Sequence, residues 1–332
     1  MTFRNQKILL LSLILLLVVV SILSLSIGDS NSSILDVLQS LTGQASGGTR
    51  LIILNIRLPR ILACLLGGGS LALSGLLLQT LTRNPLADSG ILGINAGAGM
   101  VIALFISYGL METSASVYAM PFLAMLGGFA TILVVYLIAR NRSASISPVR
   151  LIITGVGIST MLSSFMVSIV GNIDRYKVEY MVNWLSGRVS GGDWGKISLL
   201  APLLVLLWLL TASRYKSLNI LGLNEQTAMA LGLNIQKERV ITLLLATSLA
   251  SISLVLVGNI TFVGLVAGHI ARRLVSSKHQ FSIPAALLIG MIVLVIADTL
   301  GRVLLVGTGI PTGIIVSLVG APYFLYLMYQ EK

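Results

Sequence analysis

The chain has 332 residues, 56% of them hydrophobic and 10% charged, with a formal net charge of +11 and a mean hydropathy of +0.97. That composition lies far outside the range of soluble domains and marks an integral membrane protein. The single cysteine, Cys64, sits in an apolar run, which excludes an internal disulfide and a cysteine metal cluster. The excess of lysine and arginine falls in short connections between apolar runs, where the positive-inside rule accounts for it and no nucleic-acid partner is expected.

The apolar runs predict an all-α polytopic membrane protein, a single domain over 1–332 embedded in lipid. Ten helices are expected, at about 8–28, 52–81, 91–108, 116–139, 149–171, 196–213, 240–258, 262–274, 281–304 and 309–328, since ~20 residues cross the ~30 Å hydrocarbon core. The first run has the basic start of a signal peptide (Arg4, Lys7). Its apolar stretch is too long, however, and no small-residue cleavage site follows, so it reads as a retained helix. With Arg4 and Lys7 in the cytoplasm, the connection 28–50 is outside and the second helix returns to Arg83. Arg140, Arg142 and Arg150, then Arg214, Lys216, Lys237 and Arg239, then Arg272, Arg273 and Lys278, and finally Lys332 all fall inside, and both termini are cytoplasmic.

The run from Ile241 to Ala271 has basic flanks that belong to the same side. Its length at ~1.5 Å per residue is roughly 47 Å, too short for two full crossings. The chain therefore goes out to about Gly258 and returns as one short helix, with Gly258 and Asn259 supplying the break.

Eight basic residues remain outside, among them Arg57, Arg60 and Arg302. Arg57 and Arg60 are three apart and share a helical face, and Pro59 between them suits a first turn. Two readings stay open for these arginines: a function on the outer surface, or snorkelling to the headgroups. Arg302 can also pair with Asp298 four residues earlier. Glycines within the spans (67–69, and the pairs Gly93/Gly97, Gly264/Gly268 and Gly309/Gly313) allow close helix approach in a tight bundle.

Acidic residues in or near the spans are few: Asp88 in a cytoplasmic turn, Glu112 in an outer loop, and Asp298. They make no carboxylate relay of the kind an ion-driven pump carries. An ion-coupled secondary transporter, which interrupted helices would also fit, is the alternative that this absence argues against. His269 reads as a packed histidine. No nucleophile–base set and no metal-ligand spacing occurs, so neither catalytic residues nor a metal or cofactor is expected. A phosphate-binding G-x-x-x-x-G-K-[ST] loop is missing, and any ATP must be bound by another chain. The longest cytoplasmic connection, SRYKSLNILGLNEQTAMALGLNIQKER, holds an alanine-rich helical run that stops at Gly232. It is either a surface for such an ATPase or a helix lying on the headgroups.

Several blocks in order then become specific: RLPR (57–60), GGSLALSGLLLQTLTRNPLADSGILGINAGA (68–98), ALGLN (230–234), GNITFVGLVAGHIARRLV (258–275), ADTLGR (297–302), IPTGI (310–314) and GAPYF (320–324). Through them the chain resembles, from its first helix to its C-terminus, the FecCD-type permeases of ABC importers for iron-siderophores, haem and cobalamin. The resemblance implies a multi-pass permease of the cell membrane, in contact with membrane lipid and paired with a second copy or paralogue around a central path. It implies cytosolic ABC ATPase subunits, an extracytoplasmic substrate-binding (lipo)protein, and most directly ferric siderophores as cargo. It assigns docking of the binding protein to Arg57, Arg60 and Arg302. It assigns ATPase coupling to Glu225, Thr227, Ala228, Ala230, Leu231 and Gly232, and a cytoplasmic gate to Asn84, Pro85 and Leu86. The chain departs from the family pattern at Gly268 and Ser89, where proline is common.

Overall fold

The computed structural model describes residues 3–28, 33–108, 114–139, 148–171, 175–189, 194–304 and 309–330; Glu112, Arg140, Arg142 and Lys332 lie outside them. The described residues form helices and no strand, as expected where every backbone group must find its partner without water. In chain order the helices are α1 (Phe3–Ser26), α2 (Ile34–Thr42), α3 (Gly47–Leu51), a π-helical turn (Ile52–Arg57), α4 (Leu58–Thr82), α5 (Ile94–Ser107), α6 (Ser114–Ala139) and α7 (Pro148–Val170). There follow α8 (Arg175–Leu185), α9 (Trp194–Ser213), α10 (Tyr215–Leu221), α11 (Glu225–Ala230), α12 (Ile235–Val257), α13 (Val263–Leu274), α14 (His279–Leu304) and α15 (Thr312–Gln330). Eight of the helical stretches are long and apolar enough to cross a membrane, and α5 is a shorter apolar helix.

The second apolar run does not begin at 52. A continuous helical rod starts at Gly47, and Pro59 stands within it, in the first turn of its α-helical part, α4. Proline has no N–H and crowds the carbonyl four residues back. The chain accommodates it by widening the preceding turn, so that the Leu58 N–H donates to Ile53 O, five residues back.

The core forms around α4, which packs against α12, α13 and α14. Of its apolar stretch 89% is buried, against 11% for α1 and for α7; the outer helices turn their apolar side chains to lipid or to a partner. Glycine makes the central contacts possible: a Cβ at Gly68 would collide with Gly290 O, and one at Gly75 with the backbone of Gly264. At the break after α12, Gly258 has φ +76°, which a side chain would resist.

Asp88 lies in the turn that follows α4 and is buried there. The connection from Arg83 to Gly93 folds back against α13 and buries it, leaving the residue 2% exposed. Its Oδ2 accepts from the N–H groups of Phe262 (3.4 Å) and Gly90 (3.3 Å). The carboxylate thus serves the unpaired donors at the start of α13. Arg83 (φ 50°) and Phe262 (φ 69°), the non-glycine residues with positive φ among the described residues, open the two segments that Asp88 ties together.

Candidate functional site

The residues singled out from the sequence collect at the two ends of α4. At its start, three arginines and one carboxylate form a cluster. Asp298, on α14 and 1% exposed, receives Arg60 through Nε (2.9 and 3.1 Å) and Nη2 (2.9 Å). It also accepts from Arg302 Nε at 3.2 Å and from the Thr312 hydroxyl at 2.9 Å. The fork of Arg60 matches the carboxylate's two oxygens, a geometry lysine could not supply. The i,i+4 pair of Asp298 and Arg302 was readable in the sequence; the larger contribution of Arg60, 238 residues away, was not.

Arg57 does not project outward beside Arg60. It is 5% exposed, and its Nη1 donates to the carbonyls of Leu25 (2.7 Å) and Ser26 (3.2 Å). Arg302 donates to Ser24 O and Ile27 O, both at 3.1 Å, and to the Ser24 hydroxyl at 2.8 Å. The last carbonyls of a helix have no intrahelical donor and carry partial negative charge. Two arginines from other helices supply the donors, which draws Arg57 inward and locks the end of α1 to α4 and α14. Only Arg60 and Arg302 keep partly exposed side chains, at 23% and 13%. Ser24, Thr299 and Thr312 complete the cluster and could not be singled out before the helices were in place.

At the other end of α4 lies the connection between α9 and α12. Asn224 caps α11, its side chain accepting from Thr227 N at 2.7 Å, and Gly232 (φ +80°) ends it where the sequence placed the stop. Glu225 pairs with Arg239 of α12, and Arg214 with Glu238. Of the six residues assigned to coupling, Ala228 faces inward, fully buried, Glu225 is half-buried, and Thr227, Ala230, Leu231 and Gly232 are exposed. Met229 beside them is 58% exposed. The segment therefore presents apolar groups on a short helix fastened by charge.

Asn84, Pro85 and Leu86 form a half-buried turn next to this segment, closed by Asn84 Oδ1 accepting from Leu86 N at 2.8 Å. Arg83 joins the two by donating to Leu221 O (3.3 Å from Nη2). Burial lowers its pKa from the ordinary arginine value; Glu225 opposes that shift and Arg239 adds to it.

A second link is a buried chain of polar side chains from four helices. Arg272 of α13 donates to the Thr80 hydroxyl (2.8 Å), Thr80 of α4 meets His279 Nε2 (2.8 Å), and His279 Nδ1 lies 2.9 Å from Asn219 Oδ1 of α10. The Thr80 hydroxyl, which also donates to Leu76 O at 2.8 Å, is the node at which the chain meets the backbone of α4. His269 packs edge-on against Tyr323, with ring centroids 5.9 Å apart. Gly268 leaves α13 helical throughout and makes room for Gln79, which a Cβ there would meet at 2.7 Å.

The model of the FecCD transport family matches residues 16–330. The iron(3+)-hydroxamate import system permease protein FhuG of Bacillus subtilis is 36% identical over 324 residues, covering 96% of this chain and 95% of that protein. The Fe(3+)-citrate import system permease protein YfmE of the same organism is 37% identical over 337 residues, covering 99% and 98%. Among solved structures, one described as an inward-facing metal-chelate type ABC transporter superposes with a TM-score of 0.81 at 32% identity, covering 98% of this chain and 99% of that one.

Proposed function

The chain belongs to the FecCD transport family, and from that premise we infer that it is the membrane permease subunit of an ATP-driven importer for a ferric chelate of the siderophore class. It is a multi-pass transport permease, and ATP is hydrolysed by separate subunits. The observation that carries the inference is the end-to-end match to permeases named for hydroxamate- and citrate-bound iron. The eight long helical stretches, with α5 and α13, make ten crossings of one permease domain over 1–332. The distribution of basic residues supports both ends being cytoplasmic.

In this orientation the Asp298 cluster is extracytoplasmic. Arg60 and Arg302 offer their exposed edges to acidic residues of a substrate-binding protein, and Arg57 holds the end of α1 as the platform beneath them. Such charge pairing sets encounter rate and orientation. On the cytoplasmic side, the segment from Glu225 to Gly232 enters a groove of the ATPase. Arg83 and the Thr80–His279–Asn219 chain support coupling of its movement to the gate turn Asn84–Leu86. A second permease, copy or paralogue, completes the path, and ATP binding shifts the pair between openings through differential contacts.

Reconstitution in proteoliposomes with an ABC ATPase and a substrate-binding protein of a ferric-hydroxamate importer tests this. Uptake of a radioactive ferric hydroxamate should require ATP and the binding protein, stop with vanadate, and ignore ionophores. Uptake that needs no ATP and collapses with an ionophore would overturn the reading in favour of an ion-coupled carrier.

A further inference from the structure

α2 lies in the connection after α1 and turns its apolar side chains the wrong way for a helix in water. Ile34 is 51% exposed, Leu35 62% and Leu38 57%, while Val37 and Ser40 face inward at 3% and 1%. At 3.6 residues per turn the three exposed side chains share an arc of about 100°, and Asp36 and Gln39 stand off that arc, half-buried.

The helix is nevertheless well specified. Ser33 and Asp36 form a capping box (Asp36 N to Ser33 Oγ 3.2 Å, Ser33 N to Asp36 Oδ2 2.7 Å), and Gly43 at φ +80° closes the other end. Nine residues are too few to hold a helix in water by themselves, so this outward face needs an apolar environment.

We propose that α2 is an interfacial anchor whose Ile34–Leu35–Leu38 face lies at the headgroup–acyl boundary of the leaflet in which α1 ends. The surface it continues is the exposed apolar side of α1, a span only 11% buried within the chain: the two helices are in contact, and Ile22, Leu23 and Ile27 at that end of α1 are likewise exposed. A carrier that meets the arginine cluster brings acidic groups, and this face holds no charge to receive them. Because Arg57 and Arg302 hold the last carbonyls of α1, to which α2 is tethered, the anchor sets the height of the Asp298 cluster above the bilayer. The lipid contact itself holds whatever docks on that cluster.

The test uses the full-length protein, with its assembly partners where available, in nanodiscs of phosphatidylcholine and phosphatidylglycerol. Nitroxide labels are placed at Leu35→Cys, Leu38→Cys and, as a water-level control, the exposed Gln44→Cys; native Cys64 is buried and out of reach. At 35 and 38, oxygen should relax the label several-fold more than a soluble nickel chelate does, with the order reversed at 44. Independently, Leu38→Trp should add fluorescence that shallow-brominated lipid quenches at least twofold. Nickel accessibility at 35 equal to that at 44 would overturn the proposal by placing α2 in water. Shielding from both reagents would overturn it by placing a protein partner on the face.

Discussion

The two ends of α4 use charge in opposite ways. At its start, Arg57, Arg60 and Arg302 turn inward onto Asp298 and the carbonyls of α1, so that all three arginines singled out for docking are engaged within the chain. At its far end, Glu225–Arg239 and Arg214–Glu238 fasten a short helical segment whose exposed residues include Gln226, Thr227, Met229, Ala230 and Leu231. The first end joins distant helices through buried ions. The second uses half-exposed ion pairs to hold out an apolar surface. A basic residue near a membrane surface can therefore be a fastener as well as a contact, and burial decides which.

The contrast can be broken most forcefully at Asp298. Asp298→Ala leaves Arg60 and Arg302 facing each other without their shared anion, and removal of one partner from a buried pair costs about 3–5 kcal/mol. A large drop in thermal unfolding temperature in detergent and a loss of monodisperse protein are expected; an unchanged transition would mean that the cluster holds nothing together. Thr80→Val, nearly isosteric, removes the hydroxyl between Arg272 and His279 and leaves the buried polar groups that meet it one partner short, at about 1–3 kcal/mol. It should lower the same transition by less, and should lower uptake per ATP hydrolysed if the chain couples α10 to α4.

Leu231→Asp, on an exposed side chain, should leave unfolding within about 0.5 kcal/mol of the wild type. It should nevertheless weaken ATPase retention in a pulldown at least tenfold, about 1.4 kcal/mol; full retention would show that the apolar surface is not the contact. The smallest effect is expected from Glu225→Gln, which breaks a pair whose carboxylate is half-buried. A loss of about 1 kcal/mol or less is expected, shrinking as salt is raised. A loss as large as that of Asp298→Ala would erase the distinction between the two ends.

The membrane class, the short helix that follows the break at Gly258, the stop at Gly232 and the missing ATP-binding loop could all be read along the chain, because each depends on local composition or on a few adjacent residues. The i,i+4 pairing of Asp298 with Arg302 was legible for the same reason. The burial of Arg57, the bidentate hold of Arg60 on Asp298, the burial of Asp88 at the start of α13 and the π-helical turn ahead of Pro59 were not. Each joins groups far apart in the chain or settles a packing conflict within a long rod, and periodicity carries no record of either. Hydrophobic patterning by itself determined that these helices exist and need a bilayer. Which charges face a partner and which close the ends of neighbouring helices was decided by tertiary structure alone, since an unpaired carbonyl or carboxylate acquires its partner only when distant helices are brought together.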